Sequence, residues 1–302
     1  MTDNKNFDVI IIGGSYSGLS AAMSLGRSLR QVLIIDSGKP CNIQTPHSHN
    51  FITQDGKTPK QISASAKEQV AKYDTIKFYN GLATSGTKTK KGFEIKTQTG
   101  DTFTAKKLIF ATGLKDIMPD IKGYAECWGI SLLHCPYCHG YEVKNQKTGL
   151  FGNGDMGFEF AKMISHWTKD LTLFTNGKSI LTAGQTDQLK TRNIDIIETE
   201  IESLEHNNGM IKSIVLKDES KVAVKAIYAK PKFVQHCNIP IELGCELTEQ
   251  GLLKVDMFQQ TTVSGVYASG DNSSFARAVS VSVSTGTLAG ASLNKELIEE
   301  EF

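Results

Sequence analysis

Two cysteines separated by two residues form the part of the sequence best suited to chemistry. They lie in the stretch His134-Cys135-Pro136-Tyr137-Cys138-His139-Gly140. Cysteines at this spacing can close a small disulfide and reopen it as a dithiol, which stores two electrons. If a helix begins at the first cysteine, the pKa of the Cys135 thiol falls, and the reactive thiolate is favoured. The spacing therefore predicts a redox-active pair, Cys135 and Cys138.

Other interpretations of the cysteine pair are weaker. Cys-x-x-Cys-His is formally a c-type haem attachment motif, but that chemistry needs export, and we find no signal-peptide pattern at the N-terminus. A zinc site needs a second ligand pair, and Cys237 and Cys245 are too far apart for the usual spacing. A purely structural pair is the remaining alternative. We expect the other four cysteines to be unreactive thiols.

A glycine-rich turn near the N-terminus predicts a dinucleotide site. Residues 7–12 are apolar and β-branched, as in a buried parallel strand, and Gly13-Gly14-Ser15-Tyr16-Ser17-Gly18 follows them. A helical pattern, a second strand over residues 31–35 and the acidic Asp36 come next. Glycines permit the tight turn, helix N–H groups face a pyrophosphate, and the acid accepts from a ribose hydroxyl. Ser15 stands where the middle glycine usually lies.

A second glycine turn follows directly behind the cysteine pair. Gly152-Asn153-Gly154-Asp155-Met156-Gly157 lies between a predicted strand over residues 148–151 and a helix reaching about Trp167, and Leu171–Phe174 is the next strand. Asp155 is a candidate helix cap. Two turns of the dinucleotide-binding type and one redox-active cysteine pair together predict that electrons pass between bound nucleotides and the cysteines.

The remaining pattern predicts the elements that position these motifs. We expect the following features: a helix from Thr58-Pro59 to about Tyr73, hairpin turns at Thr99-Gly100-Asp101 and Asn207-Asn208-Gly209, a buried strand over residues 107–112 ending at Gly113, linkers at residues 114–119 and 228–232, a buried strand ending at Gly270-Asp271, and a small-residue helix over about residues 277–297.

Composition limits the class of protein. A chain of 302 residues suits about two domains, and 33 basic against 32 acidic side chains leave a net charge of +1. This balance argues against nucleic-acid or membrane-surface binding, and no apolar run reaches transmembrane length. The polar N-terminus predicts a cytoplasmic protein. We expect no metal site, and interpret His47 and His49 as loop residues.

These motifs, in this order, resemble the low-molecular-weight thioredoxin reductases. The resemblance implies an α/β fold of two Rossmann-like nucleotide-binding domains, the inner one inserted into the FAD domain. It places the FAD-binding domain at residues 1–115 and 233–302, and a pyridine-nucleotide-type domain carrying the cysteine pair at 116–232. It also implies a homodimer, with the C-terminal helix as a candidate seam.

The resemblance also implies roles for individual residues. Asp36 would hold the FAD ribose and Asp271 the ribityl chain, Cys138 would face the flavin, and Cys135 would meet the substrate. His139 stands where the family usually has an aspartic acid as proton donor, a role that imidazole can fill near neutral pH. The implied cofactor-binding residues are Gly13, Gly14, Ser15, Gly18, Asp36, Ala111, Gly113, Gly152, Gly154, Gly157, Gly270 and Asp271.

Two departures leave the electron donor and the direction open. Phe174-Thr175-Asn176-Gly177-Lys178 lacks the arginine-rich stretch that binds NADPH, and residues 229–233 lack the family's glycine-proline-asparagine wording. NADPH or NADH is therefore a possible donor only.

The cysteine stretch is more similar to a divergent branch that includes dithiol oxidases of sulfur-containing natural products. The predicted function is electron exchange between FAD, the cysteine pair and a thioredoxin-like protein or a small disulfide or dithiol. The alternatives are an oxygen-dependent dithiol oxidase and a non-catalytic redox sensor.

Overall fold

The computed structural model describes residues 5–302, in which strands and helices are interspersed along the chain. The strands are β1 Asn6–Ile12, β2 Val32–Asp36, β3 Ile76–Asn80, β4 Ala83–Thr89, β5 Gly92–Thr97, β6 Thr102–Phe110, β7 Leu114–Asp116, β8 Leu132–Leu133, β9 Thr148–Phe151, β10 Leu171–Phe174, β11 Asp195–Ile197, β12 Ile201–Asn207, β13 Met210–Leu216, β14 Lys221–Ala223, β15 Ala226–Ala229, β16 Phe233–Gln235 and β17 Val266–Ala268. The helices are α1 Tyr16–Arg27, α2 Pro59–Val70, α3 Tyr124–Cys127, α4 Pro136–His139, α5 Gly154–Ile164, α6 Ala183–Thr191, α7 Ile239–Glu242 and α8 Val279–Glu301. None of these helices is both long and apolar enough to cross a bilayer.

The first of two compact units comprises the described residues up to Ile43, Phe51–Lys115 and Phe233–Phe302. Its main sheet has the strand order β3-β2-β1-β6-β5-β4, with β17 parallel to β6. Successive side chains of β1 point to opposite faces, as a pleated strand requires. Val9 and Ile11 pack with residues of α1 and α8, whereas Ile10 and Ile12 pack against a core on the other face. The sheet is therefore buried on both sides, which explains its apolar strands.

Helices α1 and α8 approach closely because α8 carries glycines where it meets α1. A Cβ atom on Gly286 would lie 2.1 Å from the Ser17 carbonyl oxygen, and one on Gly290 would lie 2.6 Å from the Ala21 carbonyl oxygen. The Ser20 hydroxyl donates to the Val283 carbonyl at 2.7 Å. The small-residue pattern of α8 is thus used for helix packing within this unit.

The second unit comprises Gln44–Asn50 and Asp116–Lys232. Its parallel sheet has the order β11-β10-β9-β15-β8, and β12, β13 and β14 form a separate antiparallel sheet. Side chains of α5 pack with Leu150 and Leu173 on one face of the parallel sheet. Residues of β12 and β13 pack with Phe174 and Ile227 on the other. The strand that precedes the cysteine pair, β8, lies at the edge of this sheet.

Most predicted elements lie where expected, and both hairpin turns are confirmed by antiparallel pairing of the strands beside them. Several boundaries differ from those predicted, including the following three. Tyr228 lies in strand β15 rather than in a linker, because its backbone pairs with Leu133 and Leu150. Residues 114–116 form β7, which pairs with β16. Helix α5 ends at Ile164, short of Trp167.

Candidate active site and nucleotide-binding turns

Cys135 and Cys138 are joined by a disulfide, with their Cα atoms 5.3 Å apart. The pair follows the carboxyl end of β8, and Pro136 begins the short helix α4, where its missing N–H costs no hydrogen bond. The backbone N–H of Cys138 donates to Cys135 Sγ at 3.2 Å. Both cysteines are half-buried. The strand and the helix therefore present a closed, partly accessible disulfide for exchange.

His139 ends α4, directly after Cys138, in an environment that favours its neutral form. Burial lowers the pKa of its imidazole, the charge of His49 lowers this pKa further, and Glu142 partly opposes both effects. The His139 and His49 rings meet edge to face, with centroids 6.4 Å apart. A neutral imidazole next to a thiol can accept its proton, so His139 is suited to the role of base.

His49 belongs to the same unit although it is distant in sequence. It lies in the segment Gln44–Asn50, which packs against the backbone of Gly129, where a Cβ would lie 2.8 Å from Gln44 Nε2. His49 Nε2 is 3.6 Å from Glu142 Oε1. The interpretation of His49 as a loop residue therefore missed a neighbour of the candidate base. The sequence carries no local signal of this contact.

The aromatic residues around the cysteine pair divide into two groups. Trp128 is buried and stacks on Tyr124, with ring centroids 6.2 Å apart, so it belongs to the core. Tyr137, between the cysteines, is 65% exposed and lies edge-on to Trp167. Tyr141 is exposed beneath the Lys144 ammonium. The exposed tyrosines are therefore the ones available to a substrate.

The first glycine turn has the close contacts that a dinucleotide cradle requires. Gly13 has φ +103°, and a Cβ there would lie 2.3 Å from the Ala111 carbonyl oxygen. A Cβ on Gly18 would lie 1.9 Å from the Gly13 carbonyl oxygen. The Gly14 N–H donates to Asp36 Oδ1 at 3.1 Å. Ser15 is the N-cap of α1, makes no capping hydrogen bond with its side chain, and starts a first turn without acidic residues.

Other residues assigned to the FAD lie in the same unit. Gly113 has φ +65°, and a Cβ there would meet nothing within 4 Å. Gly270, with φ +84°, precedes Asp271, whose carboxylate lies 3.4 Å from Arg277 Nε. Next to it, Asn272 is fully buried, and its Oδ1 has no hydrogen-bond partner among the described residues. Glycine contacts, an open surface over Gly113 and a buried unpaired acceptor fit a bound dinucleotide.

The second glycine turn differs from the first because the side chain of Asn153, within the turn, hydrogen-bonds the backbone around it. Asn153 caps α5, and its Oδ1 accepts from the N–H groups of Gly154 and Ile180, both at 2.9 Å. Its Nδ2 donates to the Lys178 carbonyl at 3.0 Å. Asn153, not Asp155, is therefore the cap, which corrects the assignment of Asp155.

This closure leaves the second turn poorly suited to a diphosphate. Asp155 places a carboxylate in the first turn of α5, where it accepts from Gln185 Nε2 at 2.7 Å. The Ile180 side chain lies 3.1 Å from where a Gly154 Cβ would be. A helix N-terminus attracts an anion through its free N–H groups, but here one is already bonded and an anion already stands beside the others. The residues present do not fit a pyridine nucleotide in this conformation.

Three of the other four cysteines lack the environment of a reactive thiol. Burial raises the pKa of the Cys127, Cys237 and Cys245 thiols, which keeps them protonated near neutral pH. Cys41 is exposed. Within residues 5–302, no group of three or more histidine, cysteine or acidic side chains is arranged to hold a metal ion.

Comparison with known proteins gives consistent matches over almost the whole chain. The family model described as pyridine nucleotide-disulphide oxidoreductase matches residues 7–286. Thioredoxin reductase tcpT of Claviceps purpurea (strain 20.1) is 32% identical over 320 residues, spanning 99% of this chain and 97% of its own. The crystal structure of an oxidoreductase from Agrobacterium tumefaciens is 36% identical with a TM-score of 0.91, covering 97% of this chain and 99% of the other.

A further solved structure supports the fold. A putative thioredoxin reductase, TrxB, from Bacillus anthracis has a TM-score of 0.94 and 29% identity, and covers 98% of this chain and all of the other. The predicted α/β fold, with two Rossmann-like domains of which one is inserted into the other, is confirmed by these likenesses.

Proposed function

Because this chain belongs to the pyridine nucleotide-disulphide oxidoreductase family and is an FAD-dependent, thioredoxin reductase-like disulfide oxidoreductase, we propose that Cys135, Cys138 and His139 are its catalytic residues. The observation that carries this proposal is the half-buried Cys135–Cys138 disulfide directly before an imidazole held neutral by its surroundings. The pair exchanges two electrons with FAD on one side and with an external disulfide or dithiol on the other.

The exchange follows from the chemistry of the pair. Cys135, as thiolate, attacks an external disulfide, a mixed disulfide forms, and one external thiolate leaves. His139 removes the proton of Cys138, whose thiolate then attacks Cys135 Sγ and releases the second external sulfur. One disulfide forms and one breaks, so two electrons pass to the external pair. The same steps in reverse oxidise an external dithiol.

The flavin belongs to the first unit. Residues 1–115 and 233–302 form the FAD-binding domain, and 116–232 form the domain with the redox pair. Gly13, Gly14, Ser15 and Gly18 receive the diphosphate at the N-terminus of α1, and Asp36 binds a ribose. The remaining FAD contacts assigned here are Ala111, Gly113, Gly270 and Asp271. When bound, FAD supplies the two-electron acceptor or donor that the cysteine pair needs.

A second candidate function, an oxygen-dependent dithiol oxidase, is favoured by the closed second turn. Gly152, Gly154 and Gly157 keep the glycine pattern, but Asn153 bonds the N–H of Gly154, and Asp155 places a carboxylate in the first turn of α5. A protein that takes its electrons from a small dithiol does not need a pyridine nucleotide at this turn. Oxygen would then accept the electrons.

We further propose a homodimer in the cytoplasm that acts on a thioredoxin-like protein or on a small disulfide or dithiol. Relatives named thioredoxin reductase support the protein partner. The exposed side chain of Tyr137, next to the disulfide, suits either class of substrate. Steady-state turnover with a small disulfide or dithiol measures this activity, and its absence would point instead to a redox sensor.

Trapping of the intermediate tests this mechanism. In Cys138→Ser, Cys135 still attacks, but nothing resolves the product, so we expect a stable mixed disulfide at Cys135 and loss of turnover. Mass spectrometry of the variant after incubation with a small disulfide measures the adduct. Cys41→Ser, which changes the exposed cysteine of the other unit, is the control and should turn over normally. Sustained turnover by Cys138→Ser would contradict the mechanism.

A further inference from the structure

Two residues outside the cysteine stretch form a cluster of titratable side chains with His139. His49 comes from the segment Gln44–Asn50, and Glu142 follows α4 by three residues. The His49 ring lies near both of the other groups. Its centroid is 6.4 Å from that of His139, and its Nε2 is 3.6 Å from Glu142 Oε1.

The positions of these groups make the two imidazoles unequal as acceptors of a proton. Two imidazoles at this distance disfavour double protonation, because the second positive charge is repelled by the first. Glu142 makes its ion-pair contact with His49, whose side chain is 19% exposed, while Glu142 itself is 40% exposed. A carboxylate beside one imidazole of a pair stabilises the protonated form of that imidazole.

We propose that Glu142 directs the proton of this cluster to His49, so that His139 stays a neutral imidazole beside Cys138, and that His49 and Glu142 are positioning residues for proton transfer. This inference rests on the proposed function. It adds to that function the two groups that keep the proposed base, His139, unprotonated.

The cluster supplies the proton balance of the exchange. His139 takes the proton of the Cys138 thiol, the Cys138 thiolate displaces the external sulfur from Cys135, and the leaving thiolate takes a proton from the His139 imidazolium. One S–S bond forms and one breaks. A protonated His49 opposes retention of the proton on His139 and so favours its release to the leaving sulfur.

The other titratable groups near the cluster are compatible with this assignment. His47 is exposed and its ring lies 6.4 Å from that of His49. Tyr228, in the adjacent strand β15, is buried, which raises the pKa of its phenol and keeps it uncharged, an effect that Glu142 reinforces. Lys144 lies over the exposed ring of Tyr141. Burial and the His49 charge lower the pKa of His139, whereas the direct effect of Glu142 raises it. Glu142 must therefore favour a proton on His49, its 3.6 Å contact, over one on His139.

Imidazole titrations by NMR test the proposal in the resting, disulfide-bonded holoprotein. In His49→Gln, removal of the neighbouring charge should raise the ratio of protonated to neutral His139 about three- to tenfold at a given pH below neutrality. In the isosteric Glu142→Gln, the ion-pair contact with His49 is lost, and the two rings should share the first proton more equally. His47→Gln is the matched control and should leave the His139 titration in place.

A second readout is the pH profile of thiol–disulfide exchange with a small disulfide. The acid limb of this profile should move to higher pH in His49→Gln and stay in place in His47→Gln. An unmoved His139 titration in His49→Gln, or an unchanged proton preference in Glu142→Gln, would overturn the proposal. The titrations need no turnover, so failure of the proposed function shows separately, in the Cys138→Ser experiment.

Discussion

At the scale of single residues, His139 is a group whose acid–base chemistry is set by its surroundings. Its pKa is lowered by burial and by His49, so the neutral form persists to lower pH than in a free imidazole. A base with a lowered pKa stays unprotonated through the neutral range. It becomes protonated, and so stops acting as a base, only as the pH falls below its pKa in the folded protein. The imidazole of His139 should therefore remain available as a base below pH 6.5, the usual imidazole value.

His139→Gln tests this role at neutral pH. Removal of a general base costs on the order of a hundredfold or more, and we expect such a fall in the exchange rate at pH 7. The deficit should shrink as the pH approaches about 8.5, because the thiols then ionise without help. Stopped-flow exchange with a small disulfide from pH 5.5 to 9 measures it. A rate within threefold of the wild type at pH 7 would exclude His139 as the base.

At the scale of elements, local sequence patterns predicted the strands, turns and helices well, but they did not predict contacts between residues that are distant in sequence. Both glycine turns were recognisable because strand, turn and helix follow each other within one short stretch of sequence. The linker predicted at residues 228–232 includes Tyr228, whereas pairing partners in β8 and β9 decide the conformation of this residue. Strand β8 has two residues, too few for any periodicity. His49 was missed because its neighbours are set by tertiary packing alone.

The contact between α1 and α8 gives a prediction for this scale. In Gly286→Ala the new Cβ would lie 2.1 Å from the Ser17 carbonyl oxygen, so the helices have to separate. Overpacking of this kind costs about 1–3 kcal/mol in free energy of unfolding. Urea denaturation measures the loss, which should come with weaker flavin retention because α1 carries the first glycine turn.

A matched glycine in another helix provides the control. Gly184 lies in α6, and a Cβ there would meet nothing within 4 Å. Gly184→Ala should therefore leave stability unchanged or raise it by about 0.5–1 kcal/mol, since alanine favours the helix. Equal effects of the two substitutions would show that close packing of α8 is not what Gly286 provides.

At the scale of the whole molecule, one chain contains two glycine turns of similar pattern and different local chemistry. The turn at Gly13 starts a helix without acidic residues in its first turn. The turn at Gly152 starts a helix capped by Asn153, with Asp155 in its first turn. A diphosphate is stabilised by free N–H groups and repelled by a carboxylate, so the two turns should differ strongly in affinity for dinucleotides.

Anaerobic titration of the flavoprotein tests this difference. We expect the oxidised-flavin absorbance to fall with dithiothreitol, through Cys135 and Cys138, and to respond little to one equivalent of NADPH or NADH. Asp155→Asn removes the repelling carboxylate without changing its size, and should tighten nucleotide binding several-fold if that charge is what excludes the diphosphate. Rapid bleaching of the wild-type flavin by either nucleotide would mean that the Asn153 contacts open on binding. Electrons would then enter through the inner domain, as in a reductase, and the dithiol oxidase would be the wrong candidate.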